Sequence, residues 1–126
     1  MRWKLTERAG PKVRRSSFDD ADRALDALES RGRELAEAAP GESVNVKYKR
    51  FEPQQRVVAR LELAGPERFV PRVRAGVDVR GDGSVEAFFG RVRREVISEK
   101  RGESPYAALR RVVSERRGSQ SGSRRG

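Results

Sequence analysis

The chain contains no cysteine and no histidine. These absences together exclude disulfide staples, the usual zinc sites, thiol nucleophiles, Ser–His systems and imidazole acid–base catalysis. An enzyme would have to work with carboxylates, lysine, tyrosine or a carboxylate-held Mg²⁺. Asp78, Glu86, Tyr48, Tyr106 and the lysines form no recognisable constellation for that work, so neither an enzymatic activity nor a cofactor is expected. No run approaches the 18 or more apolar residues of a membrane span, and no membrane partner is expected. The opening MRWKLTERAG lacks the apolar core of a signal peptide, which makes the cytoplasm the expected compartment. Aromatic residues are only 6% of the chain, too few for the stacking platforms of single-strand binders.

Positive charge is abundant. The net charge is +10, and 24 of the 29 basic residues are arginine. Arginine grips phosphate bidentately and stacks on bases, so the excess points to RNA or DNA as partner. A GC-rich genome produces the same bias whatever a protein does, so the ratio alone decides nothing. The 126 residues fit one domain, placed at 1–117, with the Gly/Ser-rich basic segment 118–126 expected as a disordered tail.

Along the chain, residues 2–8 alternate with Trp3 and Leu5 on one face, a half-buried strand that Ala9-Gly10-Pro11 breaks. Val13 to Arg15 either extend that strand or pair with it. Residues 18–39 carry Ala21, Leu25, Leu28, Gly32, Leu35 and Ala39 at 4-3-4-3-4 spacing, one face of a helix. Ser17 and Asp20 have the spacing of a capping box, and Asp19, Asp20 and Asp22 suit the positive end of the helix dipole better than a metal. Stretch 19–37 holds seven acids against three bases, a net −4, leaving +14 for the rest. Charge is segregated, so a polyanion should be held away from this helix.

Residues 43–51 and 56–63 alternate on either side of Glu52-Pro53-Gln54-Gln55 and read as an antiparallel hairpin. A second hairpin spans 69–92, turning at Gly81-Asp82-Gly83. Cross-strand partners share a face, and a one-residue slip flips every side chain. A two-residue loop would pair Val79 with Glu86 and Arg80 with Val85, mixing apolar with charged. A three-residue loop pairs Val79 with Val85, Val77 with Ala87 and Ala75 with Phe89, and puts Gly83 where a left-handed residue belongs. That register sends Arg72, Arg74, Asp78, Arg80, Glu86 and Phe88 to the outer face. Asp78 then opposes Glu86, which fits either a salt-bridge cluster with neighbouring arginines or a divalent-metal site with Asp82. The spacing lacks the ordered ligands of a calcium loop. Arg80-Gly81-Asp82 spells a cell-adhesion tripeptide, a coincidence in a cytoplasmic chain.

After Gly90, RVRREVISEKRGES fits a strand with a bulge or a short helix, and carries the basic cluster Arg91, Arg93, Arg94, Lys100 and Arg101. Ser104-Pro105 is an N-cap followed by proline at the first helical position. Tyr106, Leu109, Val112 and Val113 form the inward stripe of a helix over 104–117, with Arg110, Arg111 and Arg117 on its other side. These pieces make an α+β two-layer sandwich, order β-α-β-β-β-β-α, with two helices on one face of a mainly antiparallel sheet of about four to five strands. Lys47, Lys49, Arg56, Arg60, Arg72, Arg74 and Arg80 should point from the other face.

The order strand–helix–three strands–helix, ending in PYAALRRVVSERRG, resembles the ribosome hibernation-promoting factor family. The resemblance implies binding to small-subunit ribosomal RNA, with Arg110, Arg111, Arg116 and Arg117 as the matching positions. The expectation is thus a non-enzymatic nucleic-acid-binding protein that holds backbone phosphates through an Arg-rich surface. The alternative is an interaction module that dimerises through a sheet edge or docks on an acidic protein.

Overall fold

The computed structural model describes residues 2–39, 56–66, 72–90 and 93–125, with side chains described as far as Arg116. Strand β1 (Trp3–Ala9) follows its alternation, with Trp3, Leu5 and also Glu7 buried. Gly10, at φ +60°, and Pro11 then form a two-residue loop closing Ala9 onto Lys12. A positive φ at the first loop position is the demand of a type II′ turn, which glycine meets without a steric cost. The chain returns as β2 (Lys12–Phe18), paired with β1 along its whole length and exposed at every residue but Phe18.

Helix α1 (Ala21–Glu37) starts later and ends sooner than the 18–39 periodicity implied. Its cap is Asp20, whose carboxylate accepts the Arg23 amide at 2.8 Å; the Ser17 capping box is not used, because Ser17 still belongs to β2. The expected stripe is inward: Ala21, Leu25, Leu28 and Gly32 are buried, with Ala24 added. The strand expected over 43–51, with Lys47 and Lys49, lies outside the described residues.

Strands β3 (Val57–Ala64), β4 (Arg74–Arg80), β5 (Val85–Phe89) and β6 (Glu95–Val96) complete an antiparallel sheet in the order β2-β1-β3-β4-β5-β6. Among the described residues the sheet has six strands rather than four or five. Two of them stand outside the expected order: β2, where Val13 to Arg15 were expected to extend β1 or pair with it, and β6, in the stretch left between strand and helix. The β4–β5 register is the three-residue-loop solution: Val79 opposes Val85, Val77 opposes Ala87, Ala75 opposes Phe89 and Asp78 opposes Glu86. Gly83 sits at φ +87°, and its amide donates to Arg80 O at 2.9 Å. The ambiguity after Gly90 resolves as a strand, since Glu95 and Val96 pair with Phe89 and Phe88.

Helix α2 (Pro105–Arg125) opens with Ser104 Oγ accepting the Ala107 amide at 3.1 Å. Tyr106, Leu109, Val112 and Val113 are buried as the stripe requires. The helix runs beyond Arg117 through the Gly/Ser-rich segment, each added residue extending a nucleus already formed. Both helices pack on the face carrying Leu61, Leu63, Ala75, Val77 and Ala87, giving a two-layer α+β sandwich with one core. Where the helices meet, Gly32 lets them close: a Cβ there would run into the Tyr106 hydroxyl and ring.

Candidate nucleic-acid interface

The outer sheet face, the one without helices, holds the arginines expected to bind phosphate. Over β3–β5 they are met by carboxylates. Arg60 lies directly across from Asp78 and holds it with two bonds, at 2.6 and 3.1 Å. The Asp78 hydrogen bond raises the guanidinium's pKa further above its ordinary value. Arg80 bonds Glu86 at 2.6 Å. Arg74 and Arg94 both approach Glu62, at 3.8 and 3.6 Å. Four guanidiniums thus face three carboxylates. The like-charged Asp78–Glu86 pair is tolerable because each carboxylate has its own arginine, and for Asp78 that arginine comes from β3.

The outward aromatic of this face, Phe88, is only 4% exposed. The Arg60 and Arg94 guanidiniums lie 5.6 and 5.4 Å from its ring centre. The metal reading loses its ligands to these partners: Asp78 and Glu86 are ion-paired, and Asp82 accepts from the Ser84 amide and hydroxyl at 2.9 and 2.6 Å. Those two bonds hold the Asp82 carboxyl below its usual range. Among the described residues, no group of three His, Cys, Asp or Glu side chains is placed to hold a metal.

The expected helix cations are also engaged. Arg110 bridges to Asp26 at 2.8 Å and Glu29 at 3.1 Å, tying α2 to the acidic face of α1. Glu29 is held below the usual carboxylate range, first by its bond from Arg33 and then by that from Arg110. Arg111 forks onto Glu103 at 2.9 and 3.0 Å and donates to Ser98 O. With the Lys100 amide also donating to Glu103, its carboxyl falls to about 2. Arg72 is turned onto the Gly65 carbonyl. Arg56, Arg93, Lys100, Arg101 and Arg116 remain exposed, Arg116 lying 4.6 Å over the Phe89 ring. Arg91 and the side chain of Arg117 lie outside the described residues.

The β1–β2 edge is different, and its cations were not singled out from the sequence. Leu5 and Glu7 point to the core, so Lys4 and Arg8 point out, and Arg15, opposite Thr6, shares their face. Lys12 and Arg14 project from the same edge strand toward the helix side. Among the described residues, none of these five lies within ion-pair distance of a carboxylate. Segment 2–18 holds six bases and one acid, a net +5. That acid, Glu7, is claimed from the core side by Arg31 of α1 at 2.8 and 3.0 Å. Its carboxyl is held below the usual range chiefly by that bond, with the positive charges of Arg31 and Arg14 contributing against the effect of burial. The signal was present as KVRR directly after a two-residue turn. It was missed because β2 is polar on both sides and shows no alternation.

An open cleft of about 330 Å³ lies between the end of α1, the β4–β5 turn and the start of α2. Arg33, Glu37, Ser104 and Tyr106 line it. Arg33 lies 5.0 Å over the Tyr106 ring and bonds Glu29 at 2.7 Å. The Tyr106 hydroxyl is buried without a hydrogen-bond partner, and burial raises its pKa. No helix among the described residues is long and apolar enough to cross a membrane. No protein-family model, no curated protein and no solved structure matches this chain.

Proposed function

We propose that this is a non-enzymatic, cytoplasmic nucleic-acid-binding protein that holds backbone phosphates through an arginine-rich surface. The observation that carries this reading is the segregation of charge. Acids gather on α1, the middle of the outer sheet face is ion-paired, and five cations without carboxylate partners among the described residues line the β1–β2 edge. Such an edge concentrates positive potential where phosphate can approach without displacing an internal ion pair. Arg56 just before β3, and Arg93, Lys100, Arg101 and Arg116 beyond β5, supply further exposed charge. Ribosomal RNA is the target that the resemblance of the C-terminal helix favours, and that resemblance rests on its quoted residues alone.

Fluorescence anisotropy with labelled RNA and DNA, titrated at low and high salt, tests the proposal. Affinity should fall steeply with salt; no association at low salt with any nucleic acid would sink it. Protein purified at low salt should also carry nucleic acid, visible in its 260/280 nm absorbance ratio. A second reading, docking on an acidic protein or self-association through the sheet edge, draws on the open side of β2, which pairs only with β1 among the described strands. Light scattering that showed a salt-sensitive dimer without bound nucleic acid would favour it.

A further inference from the structure

We infer that the β1–β2 edge is a site for double-stranded nucleic acid, approached from the outer sheet face and read through phosphates alone. The inference rests on the nucleic-acid reading above and narrows it to one class of ligand.

The first support is that no aromatic ring among the described residues is fully exposed for a base to stack on. Trp3, Phe88 and Tyr106 are each 4% exposed, and Phe18 and Phe89 pack against the core. Binders of single strands draw much of their affinity from stacking successive bases on aromatic side chains. The described surface offers no such platform, so charge has to supply the affinity.

Charge density then favours the duplex. Lys4 and Arg8 are four residues apart on one face of β1, about 13 Å along the strand. Over that length a duplex presents about eight phosphate charges, at one per ~1.7 Å, and a single strand about half as many. Arg15 stands on the neighbouring strand of the same face, across from Thr6, so the outward cations cover an area rather than a line. Lys12 and Arg14 stand on the same edge strand and project toward the helix side.

The direction of approach follows from α1. That helix packs against β1, β2, β3 and β4 on the inner side and, with Asp19 and Asp20 just before it, carries seven acids over 19–37. A backbone nearing from the helix side would find Lys12 and Arg14 but also the net negative charge of 19–37. From the outer side it meets Lys4, Arg8 and Arg15, with Thr6 and Ser17 between them as neutral hydrogen-bonding groups.

The test is a set of anisotropy titrations of the full chain, at 50 and 200 mM salt, against a random-sequence DNA duplex, an RNA duplex, and single strands of the same length. Both duplexes should bind at least about tenfold more tightly than either single strand. If all five cations contact phosphate, duplex affinity should fall about 500-fold between the two salts. The variant R8A/K12A/R15A should lose the duplex preference and about three-fifths of the salt slope, with circular dichroism showing its fold intact. R23A, which removes an exposed cation of α1 that stands outside the proposed surface, should keep the preference. Single strands binding as tightly as duplexes would overturn the inference and leave the broader reading standing. Persistence of the preference in R8A/K12A/R15A would overturn its placement on this edge. No binding to any of the four ligands would overturn both readings.

Discussion

The two halves of the outer sheet face use the same residue type in opposite ways. Over β3–β5, arginines stand opposite or diagonal to carboxylates: Arg60 faces Asp78, and Arg74 lies beside the register position of Glu62. Over β1–β2, Lys4 stands between Ser17 and Ala64, Arg8 stands between Val13 and Arg60, and Arg15 faces Thr6, none of which can neutralise a cation. An arginine's role is therefore set by its cross-strand neighbour more than by the face it occupies. One half of the face becomes a closed ion-pair lattice and the other remains an open basic surface.

The largest break in this comparison should come from Asp78→Ala. It leaves Arg60 half-buried without its carboxylate, and stability measured by urea unfolding should drop by about 2–3 kcal/mol. A loss below half a kcal/mol would mean that the lattice contributes no more than surface pairs do.

Next comes Glu7, the one acid of the basic half. Its folded pKa is depressed from 4.5, so the stability it contributes is present above the unfolded value and is lost as pH falls through the folded one. Glu29 is shifted in the same direction, and Glu103 sits at about 2. Melting temperature should therefore decline as pH drops from about 4.5 toward 2. Glu7→Gln should cost about 1–2 kcal/mol at neutral pH and flatten that decline; an unchanged acid profile would show that the Arg31 pair is not part of it.

Glu62→Gln should cost less, about 1 kcal/mol, because its two arginines stand at 3.6 and 3.8 Å. It also converts part of the closed half into open surface. Nucleic-acid affinity should rise a few-fold, measured by anisotropy at 50 mM salt, and a fall would contradict the contrast between the halves. The smallest stability effect belongs to Arg15→Ala, within about 0.5 kcal/mol at an exposed position, together with a salt slope shallower by about one.

Much of the fold was legible because its signals were local. The β4–β5 register followed from matching faces across Gly81-Asp82-Gly83, and both helices followed from their apolar stripes. Of β2 only Val13 to Arg15 were legible, as a stretch that would extend β1 or pair with it; Lys12 to Ser17 bury nothing, and the full strand exists through its pairing with β1. The interface was misjudged for the same reason. Pointing outward could be read from alternation, but whether Arg60 met a carboxylate depended on the β3–β4 register, a long-range pairing no local pattern encodes. The outward set therefore included arginines engaged in the lattice and omitted those of the β1–β2 edge.

Phe88 changes the meaning of the arginine excess. A phenylalanine on the side of a sheet away from the helices would ordinarily be wetted, yet this one is sheltered under the planar heads of Arg60 and Arg94. Lysine carries the same charge but has no flat surface to lay over a ring, so it would leave the ring open to water. In this half of the molecule, arginine serves as roofing, chosen for shape as much as for sign.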